Sequence, residues 1–284
     1  MIRRAEDLQV VVVGSTNFDL VVKAERLPRE GETMLVSNLK FFPGGKGANQ
    51  AVAAARMGAK TSFIGAVGND IIGDFLLQGL VANGIDTTCV RRDPVRATGS
   101  AFIMLFPNGN NCITVDPAAN FSLTPADIER AKDVIERADA LSTVLEIPLE
   151  VVEAALRLGR KAGKLTVLDA GPPRYCPMEI LTLADVVSPN ETELAHLTGE
   201  EVRGWINRNA IVAVGEKHDE SAPGGARWVS PDAGGVNPVR HQPLKQEVSD
   251  DVVAHCTNKR GPGAHSRHGH RLVRSLAARK ELEI

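Results

Sequence analysis

Val10-Val11-Val12-Val13, closed by Gly14, is an unbroken β-branched run, the pattern of a parallel strand covered on both faces. Short apolar runs recur at residues 61–66, 141–145, 165–169, 186–188 and 211–214, most of them separated by stretches of helical periodicity. Such alternation predicts βαβ units around a parallel sheet. Thr124-Pro125-Ala126-Asp127 reads as a helix start, with Thr124 as cap, Pro125 at the first helical position and Asp127 facing the positive end of the dipole. The helix is predicted over 125–138. Residues 31–42 and 100–115 are strand-like instead, and the turn Pro107-Asn108-Gly109-Asn110 joins two strands within the second stretch. These segments predict a small sheet outside the main one. No internal repeat of fixed period is present.

From Gly215 to His270 the chain has a single leucine, Leu244, and no isoleucine, phenylalanine or methionine, while Gly, Pro, Arg and His abound. Such a stretch supplies no ordinary helix-sheet layer. The expected organisation is therefore an α/β domain over residues 1–214, lid segments included, with 215–284 as an irregular C-terminal part of the same domain. With 284 residues and 43% hydrophobic side chains, the chain can bury one sizeable core. The 33 basic and 35 acidic side chains leave a net charge of -2, which gives no basic field for nucleic acid, so no such partner is expected. No leader-like N-terminal run and no 18-residue apolar stretch occur, so membrane insertion is not expected and a cytoplasmic location is. Cys89, Cys112, Cys176 and Cys256 are scattered with no C-x-x-C pair, which reads as reduced thiols used as small core residues.

Gly44-Gly45-Lys46-Gly47-Ala48-Asn49-Gln50-Ala51 opens a helical stretch, residues 51–57, that Gly58 ends. Glycines at a helix start let backbone N–H groups approach a ligand, and Lys46 and Asn49 add donors for hydroxyls or an anion. The same run also reads as a plain Gly-rich turn before a helix. It does not match the phosphate loop G-x-x-x-x-G-K-[ST], because Ala48 stands where a hydroxyl residue is needed.

The run Gly44 to Ala51, followed by Gly58 and Gly68, resembles the N-terminal signature of the ribokinase (PfkB-type) family of carbohydrate kinases. Gly14-Ser15-Thr16-Asn17-Phe18-Asp19, Leu145-Glu146-Ile147-Pro148 and Ser188-Pro189-Asn190-Glu191-Thr192-Glu193 are similar to three further family elements, in the right order. The resemblance runs from Leu8 to Gly199. It implies a doubly wound α/β sandwich with a small β-sheet lid, pairing of two copies through the lid, and transfer of the ATP γ-phosphate to D-ribose, giving ribose 5-phosphate, with Mg²⁺ and K⁺. By resemblance, Asn17, Phe18, Asp19, Gly45, Lys46, Gly47, Ala48, Asn49 and Glu146 bind the sugar. Asn190, Gly215 and Lys217 border the nucleotide, and Glu193 reaches the metal through water. A polyol suits these residues, since a carboxylate such as Asp19 at a strand's carboxyl end can accept two adjacent hydroxyl protons. Each has a structural counterpart: Asp19 as a turn cap, Glu146 as a surface carboxylate, and Asn190 with Glu193 as a helix cap.

Phosphorylating an alcohol needs a base for its proton and donors for the transferred phosphoryl group. Relatives supply both from a Gly-Ala-Gly-Asp turn near the C-terminus, which does not occur after Gly215. Gly73-Asp74 lies in the wrong half, and no acid follows Gly225-Ala226 or Gly263-Ala264 at the required position. Asp250 and Asp251 are the nearest replacements. Residues 215–284 therefore read as an eroded, truncated or frame-shifted version of the family's last third. The alternatives are a sugar-binding relative without kinase activity and a kinase for another sugar or a nucleoside. Cys256 with His265, His268 and His270 can be drawn as a zinc set, although the spacing fits no ordinary module.

Overall fold

The valine run forms β1 (Gln9–Val13), and its alternation divides the core in two. Val11 and Val13 pack with Ile128, Ile135, Leu141 and Leu156 on one side, and Val12 packs with Ala48, Ala51, Phe63 and Leu80 on the other. In this computed structural model, residues 4–198 and 212–213 are described. After β1 come β2 (Asn17–Lys23), β3 (Ser37–Gly44), α1 (Lys46–Arg56), β4 (Lys60–Gly68), α2 (Ile71–Ala82), β5 (Val90–Asp93), β6 (Ser100–Leu105) and β7 (Asn111–Asp116). Next in the chain are α3 (Pro125–Arg130), α4 (Lys132–Arg137), β8 (Ala140–Val144), α5 (Leu149–Lys161), β9 (Leu165–Asp169), α6 (Met178–Leu181), β10 (Val186–Ser188), α7 (Glu191–Thr198) and β11 (Val212–Ala213).

The main sheet has the order β11-β10-β9-β8-β1-β4-β5, parallel except where β11 runs against β10. The two core clusters place α1 and α2 on one face and α3, α4 and α5 on the other. This is the expected doubly wound α/β sandwich. The helix predicted over 125–138 divides at Ala131, whose N–H is shared between the carbonyls of Asp127 (3.2 Å) and Ile128 (3.1 Å), a tightened turn. Its start is as expected, since Asp127 Oδ2 accepts from the Thr124 N–H and hydroxyl, both at 2.8 Å.

A second sheet, β3-β2-β6-β7, forms the lid. Its hairpin β6-β7 matches the expected segment to within a residue, whereas β2, which begins at Asn17 just past the end of β1, is a lid strand that the expected segments do not include. The chain leaves β1, turns through Gly14, Ser15 and Thr16, and enters the lid at once, because Asn17-Phe18-Asp19-Leu20 alternates with the strand period of two. The other correction is at residues 31–36, which precede β3 rather than belonging to it. No helix among the described residues is long and apolar enough to cross a membrane.

Lid and main sheet are tied at Asp70, which caps α2. Its carboxylate accepts from the Gly73 N–H (2.7 Å), the Thr98 hydroxyl (2.6 Å) and the Thr98 N–H (2.8 Å), and the Thr98 Oγ1 accepts from the Gly68 N–H (2.9 Å). Desolvation opposes the Asp70 charge, but the hydrogen bonds from Thr98, Gly73 and Ile72 outweigh it and hold the carboxyl below its usual range. A depressed folded pKa stabilises the fold above the unfolded value of about 3.9, and that contribution is lost as pH falls through the folded value. Asp70→Ala should cost about 1 kcal/mol at pH 6, as a lost cap does. Urea denaturation should show the gap from wild type narrowing below pH 4.

Candidate active site

Chain order reverses beside β1: the connection after β1 leads to β4 on one side, and the one after β5 returns to β8 on the other. Ligands of open α/β sheets bind in the crevice that such a switch opens at the strands' carboxyl ends. Here Ser15, past β1, donates its hydroxyl proton to Glu146 Oε2, past β8, at 2.5 Å. The same oxygen accepts the Lys46 N–H at 3.1 Å. Gly47 N–H approaches Ser15 Oγ at 3.4 Å, and Ala48 N–H donates to the Ser15 carbonyl at 2.9 Å. The free donors of the first turn of α1 are thus met by two residues of the neighbouring strand ends.

This changes the reading of the glycine-rich run. The helix begins at Lys46 rather than near residue 51, and the N–H groups of Lys46, Gly47 and Ala48 already have partners, so they form no open cradle. The glycines serve close approach. A methyl group on Gly47 would fall 2.7 Å from Gly14 Cα and from Ser15 N. Gly45, the helix cap, has φ 89°, and a methyl group there would meet Asn17 N and Thr16 Cα at 2.8 Å. Glu146 stands at the crevice as expected, but one of its oxygens holds the helix start.

On the lid side, strand alternation sets Asn17 and Asp19 on one face of β2 and Phe18 on the other. The Asp19 carboxylate lies against Gly44, where a methyl group would fall 2.2 Å from Oδ2. Phe18 is a correction: its ring stacks on Phe41 (5.3 Å between centroids) and meets Phe75 edge-on (5.7 Å), so it packs the lid rather than facing the Asp19 side. Asn49 is exposed on the first turn of α1. A residue that the sequence motifs do not reveal is Asn120, buried in the turn after β7, whose Nδ2 donates to Asn17 Oδ1 at 2.8 Å. Nothing in the local pattern of Ala118-Ala119-Asn120 signals this, because its partners are more than 100 positions away in the chain.

Toward β9 and β10, Lys46 Nζ stands 3.7 Å from Asp169 Oδ1 and 3.6 Å from Glu193 Oε1. Asp169, the last residue of β9, also accepts from Gln50 Nε2 at 2.9 Å and from the Gly171 N–H at 2.9 Å. Its strand-end position is the signal that could have identified it. Asn190 and Glu193 cap α7 reciprocally: Glu193 N–H donates to Asn190 Oδ1 (2.8 Å) and Asn190 N–H to Glu193 Oε2 (2.7 Å). Arg174 clamps the β8 end, donating from Nη1 to the carbonyls of Leu145 (3.0 Å) and Ile147 (3.2 Å).

Glu193 Oε2 is engaged in the cap, and Oε1 faces the Lys46 ammonium at 3.6 Å. No group of three or more His, Cys, Asp or Glu among the described residues could hold a metal ion. Gly215, Lys217, Asp250, Asp251 and the Cys256 and histidine set lie outside the described residues. Cys89, Cys112 and Cys176 are free, and burial pushes the Cys176 thiol up to about 11, leaving it protonated at neutral pH.

Gly47→Ala tests the close approach and should destabilise by about 1–3 kcal/mol, the cost of overpacking. Gly79→Ala on α2, with nothing within 4 Å of the added methyl group, is the control. It should be neutral or stabilising by up to about 1 kcal/mol, and urea denaturation of both variants reads the contrast.

Comparison with known proteins agrees with this geometry. Residues 7–248 match the pfkB family carbohydrate kinase profile. A ribokinase of Staphylococcus aureus is 42% identical over 214 residues, 74% of this chain and 70% of that protein. A deoxyribokinase of Salmonella typhi is 36% identical over 239 residues, 79% and 76% of the two chains. The structure of Arabidopsis thaliana ribokinase complexed with ribose and ATP superposes with a TM-score of 0.61 at 35% identity, over 69% of this chain and 64% of that one. The chain belongs to the pfkB family of carbohydrate kinases, among the sugar kinases that resemble ribokinase.

Proposed function

We propose that this chain transfers the γ-phosphoryl group of ATP to the primary hydroxyl of D-ribose. The observation that carries the reading is the meeting of a lid strand bearing Asn17 and Asp19 with the Gly44–Gly45–Lys46 turn at the β1/β8 switch point. Asp19 accepts hydroxyl protons from the sugar, Asn17 and Asn49 contribute amides, and Lys46, set between Asp169 and Glu193, supplies positive charge. The lid excludes water from the transfer, as phosphoryl transfer to an alcohol rather than to water requires. ATP brings its own Mg²⁺, which keeps several waters and is held largely by the phosphates. Glu193 meets that ion at most through water. Asn190, Gly215 and Lys217 are proposed on the nucleotide side, K⁺ as an activator, and Asp250 or Asp251 as the base. The cytoplasm, where ATP and free ribose meet, is the proposed location.

The absence of a Gly-Ala-Gly-Asp turn after Gly215 favours a second reading, a sugar-binding relative without turnover. ADP release with ATP, Mg²⁺, K⁺ and either D-ribose or 2-deoxy-D-ribose separates them, with Asp19→Ala purified identically as the control. Ribose-dependent turnover that falls at least about 100-fold in Asp19→Ala supports the kinase. Equal background in both proteins, with calorimetric ribose binding by the wild type alone, supports the second reading. A preference for 2-deoxy-D-ribose would change the substrate and leave the reaction class intact.

A homodimer through the lid completes the proposal. Phe42, Ile113 and Val115 are exposed on one face of the lid strands and Phe102 on the other, and the first of these faces is the apolar surface that a second copy would cover. Sedimentation should show a dimer that Ile113→Lys turns into a monomer. A monomeric wild type at micromolar concentration would count against pairing.

A further inference from the structure

Asn120 is 1% exposed and makes three hydrogen bonds to the start of the lid. Its Oδ1 accepts the Thr16 N–H (3.0 Å), and its Nδ2 donates to the Thr16 carbonyl (3.2 Å) and to Asn17 Oδ1 (2.8 Å). The side-chain amide thus pairs with Thr16 as a neighbouring backbone would.

An amide's two ends are distinguished only by their partners, and here the partners leave no choice. A backbone N–H can only donate and a backbone C=O can only accept, so Thr16 fixes which end of Asn120 is oxygen and which is nitrogen. Since Asn120 Nδ2 then donates to Asn17, the atom of Asn17 that it meets must be the oxygen. Asn17 Nδ2 is therefore turned the other way and has no acceptor among the described residues. On strand alternation it shares the face of β2 that carries Asp19. Gly99 makes room for this relay: a methyl group there would fall 2.3 Å from Asn120 Nδ2 and 2.5 Å from Asn17 Oδ1.

We infer that Asn120 is a positioning residue that locks the Asn17 amide with its NH₂ toward the substrate, making Asn17 an obligate hydrogen-bond donor beside the obligate acceptor Asp19. The pair then recognises a diol in one polarity: one hydroxyl oxygen accepts from Asn17 while hydroxyl protons go to Asp19. Only the identity of the ligand as a sugar rests on the kinase reading; the orientation of the amide does not.

Two measurements test it. Asn17 is itself 3% exposed, so in protein labelled with ¹⁵N-asparagine, and without any ligand, its side-chain NH₂, which has no acceptor among the described residues to hold it, should exchange with water faster than that of Asn120. The resonances are identified by their loss in Asn120→Ala and Asn17→Asp. An Asn17 NH₂ as protected as that of Asn120 would overturn the inference, whether or not the chain proves to be a sugar kinase. The second measurement is calorimetric affinity for D-ribose and its singly deoxygenated forms. Asn17→Asp keeps an oxygen for Asn120 but replaces the outward donor, so it leaves the Asn120 bonds in place, and urea denaturation checks that it folds. It should weaken ribose binding about 10- to 100-fold, with little further loss for the one deoxy sugar that lacks the hydroxyl Asn17 meets. Asn120→Ala should show the same selectivity with a smaller loss, because the freed amide still samples the right orientation. Equal losses for every sugar would indicate general damage and overturn the positioning role. Were the wild type to bind none of these sugars, the kinase reading would fall while the exchange experiment still decided the role of Asn120.

Discussion

At the carboxyl end of β1, Gly14 and Gly47 pass so close that neither tolerates a methyl group without displacement of the other's backbone. That contact brings the first turn of α1 against the strand end, and the rest of the site depends on it. Ser15 can then meet Gly47 and Ala48, Glu146 can reach across from β8 to Lys46 N–H, and the lid strand that starts at Asn17 is held beside Gly44 and Gly45. The helix start that would otherwise attract an anion is closed by a serine and a carboxylate of the protein itself. The recognition proposed for Asn17, Asp19, Lys46 and Asn49 therefore rests on side chains rather than on backbone amides of α1.

Most of the main sheet is legible from hydrophobic pattern, because strands buried on both faces read as continuous apolar runs and need no long-range information. The runs at residues 10–13, 165–169 and 186–188 coincide with strands to within a residue or two. The short strand β5, Val90-Arg91-Arg92-Asp93, is not legible: it lies at the sheet edge, carries three charged residues, and owes its conformation to pairing with β4. The lid strand β2 is obscured for another reason. Its residues read first as chemistry, which masks the alternation of Asn17, Phe18, Asp19 and Leu20, although that alternation alone puts Phe18 on the far face.

The site divides in the same way. Residues that a motif places together, Gly44 to Asn49 and Asn190 to Glu193, are visible in the sequence because they lie within a few positions of one another. Asn120, Asp169 and Arg174 are not, because each acts on a segment distant in the chain, and only the fold shows that Asn120 meets Thr16 or that Arg174 meets the carbonyls on either side of Glu146. The reciprocal cap bears out the structural reading of Asn190 and Glu193 and leaves room for the proposed one. The reciprocal cap of α7 uses one oxygen of Glu193 and aims the other at Lys46, so the same hydrogen bonds that start the helix set the charge beside the site.

Lys46 has its backbone N–H on Glu146 and its ammonium between Asp169 and Glu193. At 3.6 and 3.7 Å neither ion pair is a tight hydrogen bond, so the ammonium is centred by two weak attractions rather than captured by one strong one. A cation held in this way can turn toward a third negative group with little loss, because moving away from one carboxylate does not leave it unpaired. An arriving phosphate supplies such a group. The Asn120 relay works by the opposite principle: its three bonds, 2.8 to 3.2 Å long, are buried and exclude any other amide orientation. In the proposed reaction the described part of the chain would thus combine a rigid element, which fixes the polarity of hydroxyl recognition, with a compliant one, which leaves charge free to follow the phosphoryl group. That division matches what transfer to a sugar demands, since the hydroxyls keep their places while the negative charge moves.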